Sequence, residues 1–288
     1  MKKLIFSFVA ALMLISSVAV SAETPEWRAW PLGQRLDVGL SLYRPNIDTR
    51  MTLTDGPIVG IIDFEQNLGL KDTESTPQVD LRWRMFKRHS LRFNYFNLDR
   101  SGAGVTGGTL GFGDCSVPPV ASPDCVVLNP DVPVNSFVDI EVFNFAYDFS
   151  IFFTERLDWS VGIGFSLQDF DVGIISDAPD IPAQSQTKFT APLPTLATKF
   201  SYAINDKWIL DVGLNWLEID LDLDSSGKFD GRILAFDTGV RWHAFENVGF
   251  FLKYSSFDLE IDVDDGADFA GFIDYNYRGP RLGADVYF

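Results

Sequence analysis

Apolar and polar residues alternate along most of this chain with a period of two. Leu157, Trp159, Val161, Ile163, Phe165 and Leu167 alternate with Asp158, Ser160, Gly162, Gly164, Ser166 and Gln168. The same rhythm runs through 208–216, 234–242 and 248–254. Successive side chains of a β-strand point to opposite faces, so each segment predicts a strand with one apolar face and one small, polar face. The connections set the strand number. Residues 87–90, 154–156, 205–206 and 245–247 make short turns, whereas the stretches around 101–135, 174–187, 224–228 and 264–269 are mostly longer or glycine-rich. This predicts about ten strands, over 35–54, 77–87, 90–100, 137–152, 156–173, 188–204, 207–223, 229–243, 247–263 and 270–288. Segment 56–76 predicts either a hairpin outside the sheet or two further strands, which would make twelve.

One alternating strand also suits a soluble sandwich. Many long strands, each with a fully apolar face opposite Gly, Asp, Arg and Asn, favour an all-β protein: a single antiparallel transmembrane β-barrel. Short turns on one rim and longer loops on the other are the periplasmic and extracellular ends of such barrels, and an even strand count puts both termini in the periplasm. Trp159, Tyr202, Trp208 and Trp242 fall on the apolar face beside the short turns, where amphipathic rings sit at headgroup level. Trp216 lies eight residues beyond Trp208 on that face. At about 3.3 Å per residue and a tilt near 40°, the two mark edges roughly 20 Å apart.

Continuing the strands in register past that level exchanges the two faces. Outside stand acids, among them Asp139, Glu141, Asp169, Asp171, Glu218, Asp220, Asp258 and Glu260. Inside stand Val138, Ile140, Leu217, Ile219, Leu221, Phe257, Leu259 and Ile261. The barrel is therefore expected to project past the outer leaflet with an apolar upper lumen. That lumen is either a packed core or a pocket for a small apolar ligand. Pro192 and Pro194 remove ladder donors from what should be an interior strand, near the outer membrane edge. They predict a bulge, or a lateral opening into the bilayer. Pro280 falls similarly in the last strand. Within the membrane the inward row carries Asp37, Asp148, Asp211, Asp237 and Asp285 against Arg82, Arg84, Arg92, Arg241, Lys253 and Arg281. Near-balanced charges in a narrow bore predict a salt-bridged network and argue against a wide aqueous pore.

The ends of the chain add location. Lys2 and Lys3, the apolar run from Leu4 to Val20 and the small residues at Val20, Ser21 and Ala22 read as a secretory signal over 1–22, followed by a periplasmic segment over 23–34 and the barrel over 35–288. Phe288, preceded by Val286, Ala284 and Leu282, resembles the C-terminal strand signal of bacterial outer-membrane proteins. In size and style the chain is similar to the small OmpW-type barrels. These resemblances imply a Gram-negative outer membrane, contact with lipid and lipopolysaccharide, and recognition by the barrel-assembly machinery through Phe288. They also imply passage of small hydrophobic solutes.

The formal charge is −17, which excludes nucleic acid as a partner because phosphate binding needs a basic face. Cys115 and Cys125, in the Pro-rich loop 101–135, are expected to form a disulfide in an exported protein. No cofactor or metal is expected. The Gly102, Gly104, Gly107 motif leads into no helix, so it is no dinucleotide site. Asp220, Asp222 and Asp224 open like a calcium loop, but Ser225 and Gly231 stand where Gly and Glu are needed. The histidines, His89 and His243, both fall at the short-turn rim, so an enzyme acting at the outer leaflet is not expected. Two readings of function remain: binding or passage of small apolar molecules, and a structural or surface-interaction barrel using its acidic rim.

Overall fold

A computed structural model describes residues 31–55, 58–105, 110–112, 126–128, 131–176, 183–222, 228–264 and 269–288. Its strands are β1 (Leu36–Tyr43), β2 (Asn46–Asp55), β3 (Ile58–Asp63), β4 (Thr76–Phe86), β5 (His89–Val105), β6 (Leu110–Phe112), β7 (Val126–Leu128), β8 (Pro133–Phe153), β9 (Leu157–Ser176), β10 (Ala183–Ala203), β11 (Trp208–Asp222), β12 (Lys228–Phe245), β13 (Val248–Asp264) and β14 (Phe269–Tyr287). Ten of them form a ring in the order β1-β4-β5-β8-β9-β10-β11-β12-β13-β14, closed where β14 pairs back onto β1 from Asp37 opposite Tyr287 to Tyr43 opposite Arg281. Closure gives each strand of the ring a neighbour on both sides, as a sheet in lipid requires.

The sequence expectation of ten antiparallel strands holds, with two differences near the start. Expected strand 35–54 is broken at Arg44 and Pro45, and both halves lie along β14. The N–H of Arg44 donates to the carbonyl of Pro280, so the donor that Pro280 lacks faces this break. β14 runs through Pro280 without a register shift. Segment 56–76 is neither a free hairpin nor two strands. It gives one extra strand, β3, paired only with β2, and one helical turn, α1 (Phe64–Asn67). Asp63 caps that turn by accepting from the Gln66 N–H at 2.7 Å, and the chain then tucks into the barrel.

Loop 101–135 is shorter than expected at both ends, because β5 continues to Val105 and β8 begins at Pro133. Between them β6 and β7 pair as a small hairpin. Cys115 and Cys125 lie outside the described residues, as do residues 1–30 with the expected signal sequence.

The outer surface carries a continuous apolar belt. Trp159, Tyr202, Trp208 and Trp242 are exposed at its short-turn edge, with Trp208, Trp242 and Phe250 stacked in a row. Ile163, Leu252 and Leu282, each about 60% exposed, lie in the belt, and Trp216 stands at its far edge. Such an area of bare apolar surface around a closed barrel belongs in hydrocarbon.

Candidate functional site

The interior is built in three storeys. At the short-turn end, Pro31 to Gln34 fold into the mouth and are buried. Leu32 packs there on Ala203, Ile209 and Phe153. Arg84, fully buried, donates to the Lys87 carbonyl at 3.0 Å, pairs with Asp158 and lies 4.4 Å over the Phe153 ring. These groups floor the barrel.

Above the floor the inward polar row forms ion pairs. Arg82 meets Asp37 at 2.6 Å, and Arg92 grips Asp148 with two bonds of 2.5 and 3.0 Å. Arg241 grips Asp211 at 2.6 and 2.8 Å, and Ser201 donates to the same carboxylate at 2.6 Å. Arg281 pairs with Asp80, which also accepts from Asn94 at 2.8 Å. Asp285 sits 3.9 Å from Arg241 and accepts from the Tyr287 hydroxyl at 3.3 Å. Asp237, Lys199 and Lys253 have no ion pair among the described residues. Lys253 instead lies 4.8 Å over the Phe251 ring.

Two adjoining cavities of about 110 and 170 Å³ open among these groups. They share Asp80, Arg92, Phe93, Asn94, Asp237 and Arg281 in their walls. The larger rises past Asn144, Asn215 and Ser255 to an aromatic ceiling of Tyr43, Phe96, Phe257 and Tyr277. In that ceiling Phe257 and Tyr277 stack at 4.8 Å.

In the top storey, where the sequence left a packed core and an apolar pocket as alternatives, the inward residues pack together. Val138, Ile140, Phe257 and Leu259 are buried in one core, with Leu217 and Ile261 packed against it. Ile219 is half-buried, and the side chain of Leu221 lies outside the described residues. The space they surround is filled by Phe64, Leu68 and Leu70 from segment 56–76, leaving an apolar gap of about 40 Å³. A gap of that size holds no ring-sized ligand, since one benzene needs a cavity of about 150 Å³. The tucked segment is held by Arg100, itself fully buried. Arg100 meets Glu65 at 2.5 Å and donates to the Thr49 hydroxyl at 2.8 Å, while Glu65 accepts from the Thr49 N–H at 2.9 Å. A lone arginine in an otherwise apolar inward row is the one sequence signal that something polar enters there. Gly102 and Gly104 lie so close to the backbone of Leu68 and Gly69 that a Cβ on either would collide with it. These two glycines of the motif thus serve a close backbone approach.

The wall has an interrupted ladder, a slit in its hydrogen bonding. β10 pairs with β11 only from Ala203 opposite Ile209 to Leu196 opposite Trp216. Above that, β10 stays paired with β9 up to Ala183, and β11 with β12 up to Asp222, with no β10–β11 pairing among the described residues. At the foot of β10 the Ala203 N–H donates to Arg156 beside β9, and the next, Ile204, donates to Trp208 on β11. Alternation then directs the even-numbered positions of β10 at β11. Pro192 and Pro194 are therefore two missing donors on that one side, which ends the ladder just below them. Thr195 and Asn215, at the foot of the slit, both line the larger cavity.

Outside, beyond the belt, acids face one another across strands. Asp99 stands opposite Asp139 and Asp139 opposite Asp171, and in the next row Glu141 stands opposite Asp169. Lys188 relieves Asp171 at 2.7 Å. Burial, with Asp99 and Glu141 as neighbours, raises the Asp139 pKa above its ordinary value. A carboxyl raised on folding costs stability when ionised, and the cost is relieved as pH falls through its folded pKa. Asp139→Asn is thus expected to raise the unfolding midpoint near pH 7 and to change it little near pH 4. An equal gain at both values would show that charge is not the cause.

A closed ring, a bare apolar belt and an ion-paired interior meet here in one chain. The chain has the fold of a transmembrane β-barrel.

No family model matches the sequence, and no curated protein matches it. Among solved structures it is similar to the outer membrane protease OmpT from Escherichia coli, with 11% identity, 88% of this chain and 97% of that chain covered, and a TM-score of 0.47. It is similar also to Ail, the attachment invasion locus protein of Yersinia pestis, with 10% identity, coverage of 88% and 98%, and a TM-score of 0.32. A third is the P. putida toluene transporter TodX, with 9% identity, coverage of 92% and 91%, and a TM-score of 0.32. At such values the likeness says nothing of what this chain does.

Proposed function

We propose that this barrel binds a small, largely apolar molecule in its central chamber and passes it sideways into the bilayer through the β10–β11 slit. The observation that carries this reading is the meeting of the slit with the chamber: Thr195, the first β10 residue above the last β10–β11 pair, lines the chamber, and so does Asn215 just below that pair. The vertical routes favour it by being obstructed. Phe64, Leu68 and Leu70 fill the upper barrel, and Pro31 to Gln34 with the ion pairs fill the lower. In this reading the short turns and both termini face the periplasm, and the acidic rim stands among lipopolysaccharide headgroups.

The test is to lock the slit. Continuing the register from Leu196 and Trp216 sets Thr195 opposite Leu217. A Thr195→Cys, Leu217→Cys pair, joined by a disulfide or a short dithiol linker, is expected to reduce entry of a small apolar probe into proteoliposomes to the rate of protein-free vesicles. Reduction of a disulfide-locked sample should restore entry. Undiminished entry through the locked barrel would sink the lateral route. It would leave a barrel that works through its acidic outer surface as the better account.

A further inference from the structure

The chamber has two chemically different ends, and together they describe a ligand. We propose that its occupant is a monoanion of single-ring size: an aromatic or alicyclic carboxylate with its ring upward and its carboxylate down. This rests on the chamber being the binding site, as argued above.

Size gives the ring. The upper cavity, about 170 Å³, is close to the roughly 150 Å³ that encloses one benzene molecule. Its ceiling of Tyr43, Phe96, Phe257 and Tyr277 offers ring edges and faces, with Tyr43 set edge-on to Phe96 at 5.8 Å.

Charge gives the carboxylate. The lower cavity is lined by six basic and four acidic side chains. Asp148 and Asp211 pair with Arg92 and Arg241 from behind the lining, so the balance on that surface is set by two cations, Lys199 and Lys253, against one carboxylate, Asp237, that has no ion pair among the described residues. Lys199 and Lys253 are the cations on that surface without an ion pair among the described residues. A cation without a partner inside a membrane-embedded bore is costly, and an anion entering beside it offsets that cost.

Distance joins the two. Phe257 pairs with Tyr277, and Lys253 with Arg281, four residues lower on both strands. At about 3.3 Å per residue and a tilt near 40°, the two levels lie roughly 10 Å apart along the barrel axis. A ring bearing one carboxylate spans most of that, and lysine side chains reach the remainder. Longer chains meet the packed core above Phe257 and Tyr277.

Calorimetric titration of the detergent-folded full chain with benzoate, toluene and benzylamine, against detergent alone, tests this without any variant. Benzoate is expected to bind about tenfold or more tighter than either other ring, a difference of at least about 1.4 kcal/mol. Lys199→Met and Lys253→Met should each lose most of that preference. Equal binding of toluene or benzylamine would overturn the inference while leaving lateral passage standing. If none of the three binds, the inference falls too, and the slit-locking measurement with its apolar probe decides passage separately.

Discussion

Replacing Arg100 with methionine is expected to loosen the tucked segment 64–70 from the barrel while leaving the ten-strand ring closed. Arg100 is fully buried, and its contacts with Glu65 and Thr49 tie α1 to β5 and β2 at once. Removing one partner of a buried ion pair costs about 3–5 kcal/mol, because the other charge is left unpaired in poor solvent. Glu65 retains some exposure, so the lower part of that range is expected. The loss should be local. Denaturant unfolding of the ring would shift little, while proteolysis or hydrogen exchange in 64–75 should increase sharply. Glu65→Met added to Arg100→Met should recover most of the protection, since both charges are then gone. If Arg100→Met protects that segment as well as the original does, Phe64, Leu68 and Leu70 hold it by apolar packing alone.

Asp211→Leu should act on the whole ring instead. Its carboxylate is fully buried at belt level and takes three bonds from Arg241 and one from Ser201. Without it the carboxylates nearest Arg241 among the described residues are Asp37 and Asp285, each at 3.9 Å. A loss of about 3–5 kcal/mol is expected for the single change. It should appear as a lower denaturant midpoint for the cooperative transition. Asp211→Leu with Arg241→Met should recover much of it. A single variant as stable as the original would mean that water in the neighbouring cavity already solvates Arg241.

The strands were readable because two neighbouring positions on each face opposite environments. Trp159, Ile163 and Leu252 could be set on the outer face from parity alone, and Arg82, Asp148 and Asp211 on the inner. The exchange of faces beyond Trp216 was readable for the same reason. Parity gives direction and no depth, so it could not say what fills the space between inward side chains. That space is filled by Phe64, Leu68 and Leu70, whose spacing fits no strand and only one helical turn. Only contact with the far wall makes those residues core. Cys115, Cys125 and the signal sequence lie outside the described residues, so those expectations stand as sequence readings. Pro192 and Pro194 lie just above the point where the β10–β11 ladder ends. Which neighbour loses their donors depends on the N–H directions of Ala203 and Ile204, which no composition or pattern encodes.

The ring also has a history written into its pairing. From β4 to β14 each barrel strand pairs with the next one along the chain, so a ribbon can grow by local hairpins. One junction differs. Joining β1 to β14 brings Asp37 to Tyr287 across nearly the whole sequence. Closing a flexible loop of that length would cost on the order of 5 kcal/mol from chain entropy alone. A preformed ribbon, whose curvature already brings its two edges together, avoids most of it. Until that junction forms, the facing edges of β1 and β14 stand unpaired. Protecting those edges until they meet is the service this chain needs most from its cell.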